Sequence, residues 1–299
     1  MEAVAPPDRQ PAESSERSAA APVISMAANT LAAAGVASPR ADAELLAAHV
    51  LGVPRGRVAL MDFTAPQLTA YRALVAERAR RVPLQHLTGT APFRYLELAV
   101  GPGVFVPRPE TELLVSWGLS VIRPGAVVVD LCAGSGAIAL AVANEAPTTT
   151  VYAVERSPEA GAWLRRNAAD RAAAGDPPIT VIDGDVADPD LLADLDGRVD
   201  LVLSNPPYVP AGSPVAPEVA EHDPPVAVFG GPDGLAVVRA VVACAARLLA
   251  PGGHVGIEHD DSQGESVPAL LAAQGTFRDI QDHRDLAGRP RYTTGRMAD

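Results

Sequence analysis

Between residues 23 and 81 apolar positions recur every three or four residues, the period of a helix with one buried face. Three helices are predicted there. The first covers 23–34 and is ended by Gly35. The second opens at Ser38-Pro39, a capping residue followed by proline at the first helical position, and runs through Leu51. The third opens at Thr64-Ala65-Pro66 and runs through Arg81, with Leu68, Tyr71, Leu74 and Val75 on one face. Together they predict a small helical bundle over 23–90. Two short β-like runs follow, 93–100 and 103–106, with Gly101-Pro102 as the turn between them. This predicts a β-hairpin linker over 91–108. Residues 107–112, Pro-Arg-Pro-Glu-Thr-Glu, then open a helix whose acidic first turn suits the helix dipole.

Past Gly125 the texture changes. Apolar runs at 126–131, 150–154, 179–182 and 199–203 alternate with helical patterns at 137–144, 158–174 and 234–249. Later runs at 255–258, 277–281 and 291–294 also read as strands. Strands without a polar face, alternating with helices, predict an α/β domain over 109–299 whose parallel sheet is covered on both sides. Residues 1–22 are rich in Pro, Ala, Ser and Glu and have no apolar stretch, so a disordered tail is expected rather than a secretory signal.

Composition narrows the picture. The 299 residues are 48% hydrophobic but only 4% aromatic, so the core is built largely from Ala, Val and Leu. A net charge of −12 is poorly suited to gripping a phosphate backbone by bulk field, and no direct nucleic-acid binding is expected. No apolar run reaches the roughly 18 residues of a membrane span. Cys132 and Cys244 make no disulfide framework, which suits a reducing cytoplasm.

Candidate chemistry gathers at strand ends. Asp130-Leu131-Cys132-Ala133-Gly134-Ser135-Gly136 lies between the first apolar strand and its helix, where glycines permit close approach of backbone to ligand. The next strand ends in Glu155, a place from which a carboxylate accepts both hydroxyls of a ribose. The third is followed by Asp183-Gly184-Asp185, where a carboxylate can take an adenine amino group. Singly, each is also read as an ordinary turn. Together they describe an adenosine-containing cofactor, and the lack of Gly-Lys-Ser/Thr excludes an NTPase phosphate loop.

The fourth strand delivers Ser204-Asn205-Pro206-Pro207-Tyr208 to the same edge. Proline neither continues a strand nor starts a helix freely, so the chain is stopped there with an amide and an aromatic ring presented. The Asn205 side-chain oxygen and the Pro206 carbonyl are two acceptors for the two N–H bonds of a planar nitrogen. Such acceptors would aim its lone pair at an alkyl donor, with Tyr208 stacked on the planar group. A surface turn is the bland alternative. His254 and His259 are five apart, on opposite faces of an extended strand, and no metal site is expected. Arg78, Arg80 and Arg81 read as a solvated helix end or as a contact to an acidic surface or RNA.

The order of these motifs resembles the class I S-adenosylmethionine-dependent methyltransferases. Gly103–Glu112 (GVFVPRPETE), Gln-His-Leu-Thr-Gly at 85–89, FGGPDGL at 229–235, IEH at 257–259 and DLAGRPR at 285–291 narrow the resemblance to the HemK/PrmC family, over about 23–299. That family methylates the glutamine amide in the GGQ loop of peptide chain release factors. The resemblance implies a Rossmann-like seven-stranded sheet, mostly parallel with the last strand antiparallel, and a helical domain for substrate recognition. It implies S-adenosylmethionine contacts from Asp130, Ala133, Gly134, Ser135, Gly136, Glu155, Asp185, Val186 and Asn205, with S-adenosylhomocysteine as product. It places Asn205, Pro206, Pro207 and Tyr208 on the substrate glutamine, with Phe105, Arg108 and Pro109 closing over the site. A cytoplasmic monomer acting on release factors is the expectation; a DNA or RNA amino-methyltransferase with the same NPPY site is the alternative. Two positions depart from the family pattern: Cys132 stands for the first loop glycine, and His86 for an aromatic residue.

Overall fold

The computed structural model describes residues 17–299, and the chain divides between Thr88 and Gly89 into two units. The first holds strand β1 (Arg17–Ala19), helices α1 (Ala20–Ala33) and α2 (Pro39–Leu51), strand β2 (Asp62–Thr64), and helices α3 (Ala65–Ala79) and α4 (Leu84–Thr88). Thr64 caps α3 reciprocally with Gln67, whereas the Ser38 side chain makes no capping bond to α2. Ile24, Leu31, Leu46, Phe63 and Tyr71 are fully buried at the centre of this unit, with the Phe63 and Tyr71 rings stacked 5.0 Å apart.

Two expectations fail here. Residues 17–22 belong to the fold rather than to a disordered tail: Arg17–Ala19 pairs antiparallel with β2, and Ala20 opens α1 with no exposed surface. The other residues of the expected tail, 1–16, lie outside the described residues. The arginine run is also not a solvated basic patch. Arg78 is buried and its Nε donates to Asp42 at 2.7 Å, and Arg81 donates to the Gly35 carbonyl at 2.7 Å. Arg80 alone of the three fits the solvated reading, paired with Glu77 on the surface.

The second unit begins with β3 (Thr90–Phe93) and β4 (Leu96–Ala99), antiparallel, then α5 (Thr111–Val121). The hairpin turn is Arg94-Tyr95, not Gly101-Pro102, and 103–106 form no strand. Arg94 adopts the left-handed region at φ 52 because its groups are all held: its backbone N–H donates to Glu112, and its guanidinium to Glu145 at 2.7 Å and to Ser116. Trp163 instead claims the segment that had read as the turn. Its indole donates to the Pro102 carbonyl, and its ring lies where a side chain on Gly101 would be.

Then follow β5 (Val127–Leu131), α6 (Ala137–Glu145), β6 (Thr150–Glu155), α7 (Pro158–Ala173), β7 (Thr180–Asp183), β8 (Val199–Ser204), α8 (Pro217–His222), α9 (Pro225–Val228), α10 (Ala236–Leu248), β9 (Leu249–Glu258), α11 (Ser266–Gln274), β10 (Phe277–Arg284) and β11 (Pro290–Met297). Helix α11 was not anticipated. The strands form one seven-stranded sheet, ordered β10-β11-β9-β8-β5-β6-β7, parallel except for β11. Alternate residues feed opposite faces. Val128, Ala153, Leu201 and Leu203 pack with α5, α6 and α7, while Val129, Val154, Val202 and Val255 pack with α10 and α11. Strand order reverses between β5 and β8, the switch point where open α/β sheets bind ligands.

The buried Asp42–Arg78 pair gives a stability test. Asp42→Ala leaves the guanidinium buried without its carboxylate and is expected to cost the first unit about 3–5 kcal/mol in urea denaturation. A loss within about 0.5 kcal/mol would mean the pair is not what holds α2 to α3.

Candidate active site

The loop after β5 is built from backbone conformations that side chains resist. Cys132, Gly134 and Gly136 all have positive φ, at 63, 56 and 89°. A Cβ on Gly136 would stand 2.5 Å from the Leu164 side chain. Cys132 carries a left-handed backbone without glycine's freedom, at a cost of about 1 kcal/mol. The Ala133 N–H donates to the Val154 carbonyl at 2.9 Å, tying the loop to the next strand.

Glu155 closes this cradle from the end of β6. Its two carboxylate oxygens accept the N–H groups of Gly134 at 2.9 Å and Ser157 at 2.7 Å. Each oxygen keeps a second lone-pair direction for hydroxyl donors. Asp185 accepts the Ala187 N–H and pairs with Arg156 at 3.1 Å; these partners hold its carboxyl below the usual range. Asp130 lies under the loop, fully buried. Its Oδ2 accepts the Ala139 N–H at 3.0 Å, its Oδ1 has no partner, and burial raises its carboxyl well above the usual range.

A cleft opens over these residues. Ala133, Gly134, Ser135, Glu155, Asp185, Val186, Phe105, Asn205 and Pro207 line it; Asp130, Gly136, Arg108, Pro109, Pro206 and Tyr208 do not. Asp130 and Gly136 support the floor from beneath. Arg108 is placed over Phe105, 4.7 Å from the ring centroid, and its guanidinium donates to Asp223 at 3.0 Å. Burial pushes the Asp223 carboxyl up to about 6 even against that arginine.

The SNPPY segment leaves β8 at the same edge. Ser204 donates to the Leu131 carbonyl at 2.7 Å, and the Asn205 Nδ2 donates to Thr111 Oγ1 at 3.1 Å. The Tyr208 hydroxyl donates to Glu258 at 3.3 Å. Behind the prolines, 228–234 lies against the backbone of 207–211. Val209 and Gly230 exchange bonds with Val228 and Val209, and Gln263 donates to the Tyr208 carbonyl at 2.9 Å. A Cβ on Gly230 would come within 2.5 Å of the Pro207 carbonyl oxygen, and one on Gly234 within 2.2 Å of that of Tyr208.

Thr111, Glu258, Gln263 and Asp223 were missed by sequence reasoning as members of this network. Thr111 and Glu258 stand inside the PRPETE and IEH stretches, but nothing in spacing says that a residue on α5 and one at the end of β9 meet. Glu258 is nearly inaccessible. Burial raises its carboxyl to about 7, opposed by the nearby Thr111 hydroxyl, Arg291 and Tyr208. Cys132 is no nucleophile here, because burial pushes its thiol far up. Among the described residues no group of three or more His, Cys, Asp or Glu side chains is placed to hold a metal.

Comparisons with known proteins agree with this geometry. Residues 23–89 match the PrmC N-terminal domain family and residues 101–223 the methyltransferase small domain family. A release factor glutamine methyltransferase of Mycolicibacterium smegmatis is 54% identical over 91% of this chain and 95% of its own. One of Streptomyces coelicolor is 49% identical over 92% of this chain and 97% of its own. A solved methyltransferase of Pyrococcus furiosus shares the fold, with a TM-score of 0.51 at 16% identity over 76% of this chain and 98% of its own.

The raised Glu258 carboxyl carries a pH signature. Its ordinary value is 4.5 and its folded value about 7, so its stabilising proton is fully present below about pH 4.5 and lost as pH rises through 7. Glu258→Gln has no proton to lose. Measured by urea midpoints at about pH 5 and pH 8, the variant should gain on the parent protein by up to about 3 kcal/mol across that interval. Parallel pH profiles would show that Glu258 is ionised throughout.

Proposed function

The chain belongs to the release factor glutamine methyltransferase family, and from that premise we propose that it methylates the N5 amide nitrogen of the glutamine in the GGQ loop of peptide chain release factors, with S-adenosylmethionine as donor. One observation carries the reading: a single cleft is lined by the glycine loop, Glu155 and Asp185, and also by Asn205 and Pro207. The residues fit the donor. Glu155 offers paired acceptors for ribose hydroxyls, Asp185 an acceptor for the adenine amine, and Val186 and Ala133 apolar surface for the base. The unpartnered Oδ1 of Asp130 stands ready beneath the loop for a cationic or water-borne hydrogen. Bound there, S-adenosylmethionine supplies a methyl group on a sulfonium, whose C–S bond breaks as the C–N bond forms, leaving S-adenosylhomocysteine.

The protein's part is orientation. Asn205 Oδ1 and the Pro206 carbonyl accept the two N–H bonds of the substrate amide, so its weak lone pair faces the methyl group. Pro206 and Pro207 restrict the backbone that carries these acceptors. Tyr208 and Phe105 supply flat apolar surface to the amide and its chain. The nitrogen sheds its proton after transfer, so no strong base is required. Arg108 and Pro109 shape the segment over the cleft. The helical unit serves substrate recognition, and the enzyme acts as a cytoplasmic monomer that binds no nucleic acid directly.

Incubation with methyl-labelled S-adenosylmethionine tests this directly. A purified release factor should take up label, and a copy with the GGQ glutamine changed to alanine, DNA and RNA should not. Label on nucleic acid would move the assignment to base methylation. Asn205→Ala should keep the fold and lose about 10²-fold in kcat; wild-type turnover would remove it from the mechanism. Glu155→Ala should weaken S-adenosylmethionine binding about 10-fold to 100-fold by calorimetry, the worth of charged hydrogen bonds. Unchanged affinity would discard the ribose assignment.

A further inference from the structure

Pro206 and Pro207 have no N–H to donate, so the stretch that carries the two proposed acceptors cannot be held by a strand ladder. At its start the Ser204 hydroxyl donates to the Leu131 carbonyl at 2.7 Å. Its far end is held by a residue from another element. Gln263 lies in the short turn Asp261–Gln263 after β9 and is 4% exposed. Its Nε2 donates to the Tyr208 carbonyl at 2.9 Å.

The direction of the Gln263 amide is fixed by backbone groups. Its Oε1 accepts the Asp260 N–H at 3.0 Å, and its own backbone N–H donates to the Asp260 carbonyl at 2.9 Å. A backbone N–H only donates and a backbone carbonyl only accepts. Exchanging the two ends of the side chain would set N–H against N–H and oxygen against oxygen.

A third segment closes on the same point. The stretch FGGPDGL at 229–235 brings Gly234, at φ 72, beside the Tyr208–Gln263 bond. A Cβ there would stand 2.2 Å from the Tyr208 carbonyl oxygen and 2.8 Å from Gln263 Nε2. A side chain at 234 would push the two partners apart, so this glycine protects the bond as well as supplying a left-handed backbone. The ring end of Tyr208 is tied separately, by its hydroxyl to Glu258 at 3.3 Å. A buried amide is costly unless both ends are bonded. Both ends of Gln263 are bonded, and one of them holds the loop that presents Asn205 and Pro206.

We propose that Gln263 is a positioning residue whose side chain fixes the Tyr208 carbonyl, and with it the aim of the Asn205 and Pro206 acceptors at the substrate amide. This rests on the assignment of those two acceptors. Gln263→Glu keeps the shape and exchanges the donor for an oxygen. Ionised, it sets that oxygen against the Tyr208 carbonyl. Protonated, its O–H restores the donor while the other oxygen still accepts from Asp260. At about pH 8.5 its kcat on a release factor should fall about 10²-fold, the cost of a misplacement of about 1 Å, with S-adenosylmethionine affinity by calorimetry within about twofold of the parent. Taken as a ratio to the parent at each pH, its rate should recover about tenfold or more by about pH 6, since burial favours the protonated carboxyl. Gln263→Leu has no donor in any form, and its ratio should stay low and flat across the same interval.

Parental kcat in Gln263→Glu at the higher pH would overturn the role. So would a loss with no recovery at low pH, because the missing donor is then not its cause. S-adenosylmethionine affinity that falls as far as the rate, or a Gln263→Glu protein unfolded by circular dichroism at both pH values, would make Gln263 a support of the fold alone. A parent protein that leaves the release factor unlabelled overturns the methyl-transfer reading and this role with it. A parent that labels it, beside variants of parental rate, overturns the role and leaves the function standing.

Discussion

The constraint on which the site depends is strand register. Leu131 is paired with Val154 on one side and with Ser204 on the other, Glu155 is paired with Asp183, and Ser204 with Ile257. Five parallel strands therefore end at one level. The glycine loop, the Glu155 carboxylate, the Asp-Gly-Asp turn, the NPPY loop and Glu258 leave the sheet side by side without any further device. Parallel register is itself held by burial. Because alternate residues of each strand enter opposite hydrophobic layers, a slip of one residue would turn every one of them to the wrong side. The Ser204 hydroxyl on the Leu131 carbonyl adds a local pin at the switch point. Chemistry in this protein is thus a by-product of packing geometry, sharpened by a few polar bonds.

The NPPY loop needs more than register, because prolines leave it without ladder bonds of its own. The stretch 228–234 supplies them. It lies so close to Pro207 and Tyr208 that two of its positions have no room for a side chain. A glycine-lined backbone in contact with a proline-stiffened one makes a stiffer support than long side chains, which must give up rotamer freedom to hold anything. The same economy appears in the glycine loop after β5, where Gly136 meets Leu164 directly. Stiffness is bought twice with glycine, once for close approach and once for a left-handed backbone.

This explains what could be read in the sequence and what could not. The sheet was legible because its strands are short apolar runs, and the glycine loop, Glu155, Asp185 and Asn205 were legible because each follows such a run. The tail boundary was not. Arg17–Ala19 has no strand signature, and it is ordered by the edge of β2, some forty-five residues away in the chain. The hairpin turn was misplaced because Arg94-Tyr95 has none of the residues that favour turns. The ion pair to Glu145 and the backbone hydrogen bond to the Glu112 carboxylate impose the conformation that glycine would allow freely. The arginine run looked like surface because Asp42, which buries Arg78, lies on another helix. In each case the missing information is a partner distant in sequence.

Thr111 and Glu258 belong to the same class of hidden information, but with a difference. A misplaced turn or a tail boundary changes only the description of the fold, whereas these residues contact Asn205 and Tyr208 at the candidate site. Glu258 is expensive: a carboxyl with almost no access to water is held far above its ordinary pKa, and even Arg291 and two hydroxyls do not bring it back. Stability alone would favour an apolar residue at the end of β9. The cost becomes intelligible when the carboxyl is seen as the acceptor that holds the Tyr208 hydroxyl from behind the NPPY loop. A weak nucleophile needs acceptors of known orientation more than it needs a base.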